Sequence, residues 1–122
     1  MSSMDMYRKI SLALADLEGF EVREHNKRFT VAKPAWELLY DGRYRYGSGW
    51  ANRWLVEVWG GRDDVEHTQA RLAVAVESVT NALLDIDSIE FDEVRVMTEI
   101  PEGSKVRFTH AEIPIRELCV NG

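Results

Sequence analysis

The sequence predicts an α+β fold: a single domain with a mostly antiparallel or mixed β-sheet packed by one long helix, a short N-terminal helix and an extended β-hairpin loop. Three observations predict it. Two stretches, near 5–17 and 65–84, repeat apolar residues at helical spacing. Strand-like runs alternate with a period of two between and after them. Three of those runs follow one another before the long helix and two after it, as a segregated α+β order requires. The 122-residue chain can remove roughly two thirds of its unfolded surface from water around one core. With no Pro/Ser-rich linker, low-complexity stretch or solenoid repeat, residues 1–122 read as one unit.

Ser2 and Ser3 can cap a first helix from about Asp5 to Leu17, with Met6, Ile10, Ala13, Leu14 and Leu17 as its inward stripe. Gly19 stops it, because glycine takes the left-handed conformation without a Cβ clash. Phe20 and Val22 then alternate as a short strand. A basic, polar Asn26-Lys27-Arg28 precedes a return to apolar residues at Phe29 and Val31, and Pro34 limits that region to a loop or a strand start.

Trp36, Leu38 and Tyr40 share one parity in a strand over 35–40. Trp54 to Trp59, with Leu55, Val56 and Val58, form its expected partner, rich in side chains that pack on a pleated surface. Gly60-Gly61 breaks this strand, and Asp63 with Glu66 resembles a capping box for a long helix from about Val65 to Leu84. Val65, Leu72, Ala75, Val76, Val79 and Leu83 should face inward, so that Val76→Asp would bury a charge. Twenty residues at 1.5 Å rise give about 30 Å, enough to cross a sheet.

Two closing strands are expected, Phe91 to Ile100 and Lys105 to Leu118, joined by Pro101-Glu102-Gly103-Ser104. Val106 and Phe108 share one parity, whereas Ala111, Ile113 and Ile115 share the other. This implies a bulge near Thr109-His110 or burial on both faces.

Composition narrows the function. Fifteen basic residues against 21 acidic ones give a net charge of −6, which opposes a broad basic face for duplex nucleic acid. The lone Cys119 cannot form an intramolecular disulfide, and no Cys/His spacing matches a zinc site. The first residues lack a signal-peptide pattern and no window matches a membrane span, so the expected site of synthesis is the cytoplasm.

His25, His67 and His110 form no metalloprotease pattern, and no Gly-x-Ser-x-Gly elbow exists. Gly47-Ser48-Gly49 lacks the third glycine and the following helix of a dinucleotide site. The acidic run Asp85, Asp87, Glu90, Asp92 and Glu93 begins like a calcium loop, but Glu90 occupies the position that needs glycine. The expectation is no catalytic residue, no cofactor and no resident metal. An enzyme would need His67 or His110 to meet Cys119 or the acidic run.

The most distinctive segment is Tyr40-Asp41-Gly42-Arg43-Tyr44-Arg45-Tyr46-Gly47-Ser48-Gly49-Trp50. A connection of about ten residues is longer than hairpins usually use and so is more often functional. Tyr and Arg are enriched at interface hot spots and also stack on single-stranded bases. Tyr40, Arg43, Tyr44, Arg45, Tyr46 and Trp50 are therefore the candidate interface residues, with protein contact favoured over nucleic acid by the acidic balance. Four tryptophans also exceed what a core this small easily encloses, which points to some being exposed.

The element order resembles the tail terminator, or tail-to-head joining, proteins of long-tailed bacteriophages. It is carried by the helix ending Leu17-Glu18-Gly19-Phe20-Glu21-Val22, the proline-led strand Pro34-Ala35-Trp36-Glu37-Leu38-Leu39 and the Gly-rich hairpin. The strand Trp54-Leu55-Val56-Glu57-Val58-Trp59 then leads through Gly60-Gly61-Arg62-Asp63-Asp64 into the helix beginning Glu66-His67-Thr68-Gln69.

The resemblance implies a non-enzymatic homo-oligomer, a hexameric ring on the head-proximal end of the tail tube. It would end tube growth and join the head connector, touching the tube protein and a head-completion protein. Genome DNA would pass through the ring without sequence-specific contact, and the protein would reside in the virion neck, with no membrane partner. Such a ring needs two complementary patches per subunit. The Tyr44–Trp50 loop is one candidate and exposed strand edges are another. Another neck or minor tail protein is the nearest alternative, and a small single-stranded nucleic-acid-binding module is the next.

Overall fold

The two helical stripes and the alternating runs converge on one buried layer. The computed structural model describes residues 3–22, 34–60, 65–99 and 108–119. Its elements are α1 (Ser3–Ala15), β1 (Glu21–Val22), β2 (Ala35–Tyr46), β3 (Gly49–Trp59), α2 (Val65–Leu83), β4 (Ile89–Phe91), β5 (Arg95–Glu99) and β6 (Phe108–Cys119). The expected return to apolar chain at Phe29 and Val31, the basic segment 26–28, Asp63 of the capping box, the 101–104 turn, Val106, His25 and the Ser2 cap lie outside the described residues. No helix among those described is long and apolar enough to cross a membrane.

The sheet runs β1-β2-β3-β6-β4, with β5 also on the outer side of β6. Among the described residues only β1 with β2 is parallel; the other pairs are antiparallel. This is the α+β architecture read from the sequence.

Both described helices lie on one face of the sheet. Met6, Ile10 and Leu14 of α1 and Leu72, Ala75, Val79 and Leu83 of α2 are buried with Trp36, Trp54, Val56, Val58, Ala111, Ile113 and Ile115. Ala13, Leu17 and Val76 pack half-buried against that core, so Val79 rather than Val76 marks the centre of the α2 stripe. The side chain of Val65 lies outside the description. Trp36, Trp54 and Trp59 are all buried and only Trp50 is half-exposed. The fold thus encloses three of the four tryptophans, two in this core and Trp59 on the opposite face, stacked on His110 at 5.6 Å.

Gly60 has a specific reason. A Cβ there would lie 2.6 Å from the Leu72 backbone nitrogen, so α2 approaches the end of β3 at a distance only glycine allows.

Of the two readings open for the final strand one holds, and one further expectation about the strands is corrected. The final strand carries no bulge near Thr109-His110: β6 pairs continuously with β3 from His110 to Cys119. The parity conflict resolves through burial on both faces, since His110 is buried opposite Trp59 while Ala111, Ile113 and Ile115 face the helices.

The single strand expected over 91–100 is instead broken into β4 and β5. Phe91 pairs with Ile115 and Arg95 with Glu112, so one extra residue is accommodated between them. Pro114 lies at that level and accepts a hydrogen bond from the Asp92 N–H at 3.1 Å. In an antiparallel strand a residue's N–H and C=O point to the same side. The donor that Pro114 lacks would therefore face this same partner, and the ladder breaks there.

Candidate functional site

The distinctive Tyr/Arg segment is strand almost to its tip, not a ten-residue loop. β2 and β3 stay paired from Ala35↔Trp59 out to Tyr46↔Gly49, leaving a two-residue turn at Gly47-Ser48. Gly47 has φ +60° and Ser48 does not share the positive φ, the pattern of a type II′ hairpin turn that matches strand twist.

A bulge decides where the side chains point. Tyr40 pairs with Trp54 but Gly42 pairs with Arg53, so Asp41 is an extra residue, and Gly42 takes φ +111°. Before the bulge, Trp36, Leu38 and Tyr40 share the helix face with Val58, Val56 and Trp54. After it, the odd residues Arg43 and Arg45 take that face, and Tyr44 and Tyr46 move to the other.

On the helix face the guanidinium carbons of Arg43 and Arg45 each lie 5.1 Å from the centre of the Trp50 ring. Such contacts contribute about 0.5–1 kcal/mol each at exposed sites. Below them is a buried polar cluster. Tyr40 Oη donates to Asn52 Oδ1 at 3.0 Å, and Asn52 Nδ2 donates to Glu117 Oε1 at 3.0 Å and to Cys119 Sγ at 3.6 Å. Trp54 Nε1 donates to the same Glu117 oxygen at 3.0 Å. Cys119 closes the last strand half-buried.

On the opposite face Tyr44 and Tyr46 lie across small residues, since Tyr44 pairs with the fully buried Ala51 and Tyr46 with Gly49. The room lets the rings reach two arginines. Arg53 is 4.6 Å from the Tyr44 ring centre and Arg116 is 4.2 Å from that of Tyr46.

Arg53 and Arg116 are themselves directly cross-strand, an arrangement that would repel without countercharge. All three Arg116 nitrogens are engaged. Nε donates to Tyr44 Oη at 2.7 Å, Nη1 to Glu90 at 3.1 Å, and Nη2 to both Asp92 oxygens at 2.8 and 3.0 Å. Arg116 consequently titrates above its ordinary value: the Tyr44 hydrogen bond raises it most, partial burial opposes this, and Glu90 and Asp92 add to the rise. Beside this network is an open cleft of about 410 Å³ lined by Arg53, Leu55, Asp92, Arg95, Glu112 and Pro114.

The six candidate residues thus lie on one hairpin but divide between two faces: Tyr40, Arg43, Arg45 and Trp50 on the helix side, Tyr44 and Tyr46 on the other. Sequence reasoning missed Arg53, Asn52, Arg116 and Glu117. Glu117 carried a signal, because it continues the inward parity of Ile113 and Ile115.

His110 and Cys119 do not meet. They are nine residues apart on β6, about 30 Å at strand rise, and face opposite sides. Among the described residues no three His, Cys, Asp or Glu side chains cluster as a metal site needs. No known family model matches the chain, and no curated protein matches it at a significant level.

Proposed function

We propose that this chain is a non-enzymatic assembly subunit of a long-tailed phage, resembling tail terminators. It would form a ring that caps the head-proximal end of the tail tube, ends tube growth and provides the joint to the head connector, as part of the virion neck. The observation that carries the reading is the two-faced hairpin. It holds large aromatic and guanidinium groups on a rigid β-ladder at the side of a sheet, so little side-chain entropy is left to lose when a protein partner docks. The element order that resembles the family supports it independently. The base-stacking alternative is weakened by Trp50, whose ring already carries Arg43 and Arg45. Another neck or minor tail protein would use the same surfaces and is separated from this reading by the capping assay.

The test is native mass spectrometry across protein concentration, followed by addition of the purified assembly to growing tail tubes. A closed ring near six times the 14.0 kDa chain mass that arrests tube growth is the expected result. Oligonucleotide binding that weakens steeply with salt, without tube capping, would replace this reading with the nucleic-acid one.

A further inference from the structure

Two irregularities of the sheet stand on either side of one cleft. On the face away from the helices, Leu55 of β3 and Pro114 of β6 are directly cross-strand and half-buried, and they floor the cleft of about 410 Å³. The β2 bulge brings Asp41 to one rim, and the break between β4 and β5 brings Asp92 and Glu93 to the other. The cross-strand pair Arg95 and Glu112 closes the end nearer Trp59, and Arg53 the end nearer the hairpin tip.

The lining sets four acids against two arginines. Arg53 holds its guanidinium carbon 4.6 Å from the Tyr44 ring centre, on the tip side of the cleft, since Tyr44 pairs with Ala51. Asp92 is neutralised by Arg116 at 2.8 Å. Among the described residues the other three acids, Asp41, Glu93 and Glu112, form no ion pair. They are also spread apart, because no three His, Cys, Asp or Glu side chains among the described residues gather closely enough for a metal ion. Carboxylates set apart around an apolar floor suit a larger cation, one with an aliphatic stem to cover the floor and a head wide enough to reach more than one acid.

We propose that this cleft receives an arginine side chain of a partner protein, its stem over Leu55 and Pro114 and its guanidinium between Glu93 and Glu112. Arginine fits better than lysine, because a planar fork of five donors spans separated carboxylates where an ammonium is a point charge. The arginine belongs to a chain, since the free amino acid would bring its own carboxylate into an acid-rich cleft. The inference goes beyond the assembly reading and holds for any protein that presents such a side chain.

The test titrates the isotope-labelled full-length protein with two capped tripeptides, acetyl-Gly-Arg-Gly-amide and its counterpart with neutral citrulline for arginine, followed by heteronuclear NMR. The arginine peptide should shift the amides of Leu55, Glu93 and Glu112 and saturate at millimolar concentration, and the citrulline peptide should bind about tenfold or more weakly, as loss of charge-assisted hydrogen bonds implies. The double variant Glu93→Gln, Glu112→Gln should weaken the arginine peptide by a similar factor and leave the citrulline peptide unchanged. Equal binding of the two peptides, shifts confined to residues outside the cleft, or no shift at all overturns the proposal. So does a double variant with the parent's dispersed spectrum and the parent's affinity; if that variant does not fold, the comparison of the two peptides on the parent decides. None of these outcomes touches the assembly reading, which the capping assay judges.

Discussion

Tyr44 and Arg116 stand 72 residues apart in the chain and are joined by a 2.7 Å hydrogen bond from the guanidinium Nε to the phenol oxygen. That bond ties the hairpin to the last strand across β3. The tyrosine is therefore part of the sheet's own cohesion as well as a candidate contact.

Tyr44→Phe should lower stability by about 1 kcal/mol, the net value of a hydrogen bond, while keeping the ring over Arg53. Tyr44→Ala should cost more, because it also exposes Ala51 and removes the stacking on Arg53. Urea denaturation of the two variants separates the contributions. This departs from the expectation for a flexible loop tip, at which alanine would be nearly neutral.

Arg116→Lys retains the charge but cannot serve Tyr44, Glu90 and Asp92 with a planar fork while covering the Tyr46 ring. A loss of about 1–2 kcal/mol in thermal or chemical unfolding is expected. It should diminish at high salt only in part, because Arg116 has 15% of its side chain exposed.

Gly60→Ala should destabilise by about 1–3 kcal/mol, the usual effect of overpacking. The added methyl meets helix backbone at 2.6–2.9 Å, and backbone cannot step aside as a flexible side chain would. Calorimetry against Gly19→Ala, where nothing lies within 4 Å and only the φ of +79° opposes the change, separates crowding from backbone strain.

Glu117→Gln keeps a carbonyl oxygen to accept from Asn52 and Trp54 and should fold with little loss. Glu117→Leu leaves both donors without that oxygen in a buried site, and about 2–4 kcal/mol should go. Equal stability of the two variants, read by denaturant titration, would mean that the cluster's hydrogen bonds contribute nothing net.

Val79→Asp should unfold the chain, as an uncompensated charge in the core demands. Val76→Asp, at the half-buried margin, should be tolerated better. Far-ultraviolet circular dichroism distinguishes them.

Much of the fold was legible because periodicity is local. The stripe Leu72, Ala75, Val79 and Leu83 is visible at helical spacing, and the Trp36 and Trp54 strands declare themselves by alternation. What was missed is non-local or lies in a breach of alternation. Asp41-Gly42 reads as a loop when it is a bulge inside a strand, and nothing in a single strand reveals that its partner continues opposite. Pro114 did carry the break between β4 and β5, but its effect falls on the neighbouring strand, more than twenty positions earlier in the sequence. The candidate residues were found by composition. Their division between two faces, and the partners Arg53 and Arg116, required the register.

The extra residue at Asp41 also makes the far end of the hairpin independent of its base in phase. Removing Asp41 would return the ladder to regular pairing, with Gly42 still opposite Arg53 and Arg43 opposite Asn52, so the arginines and tyrosines would keep their sides while Trp36, Leu38 and the core stay as they are. A one-codon gain or loss at the bulge can thus be absorbed without exchanging the two sides or redesigning the interior. Among relatives, length at this point should therefore tell less about how neighbours meet than identity along the strand.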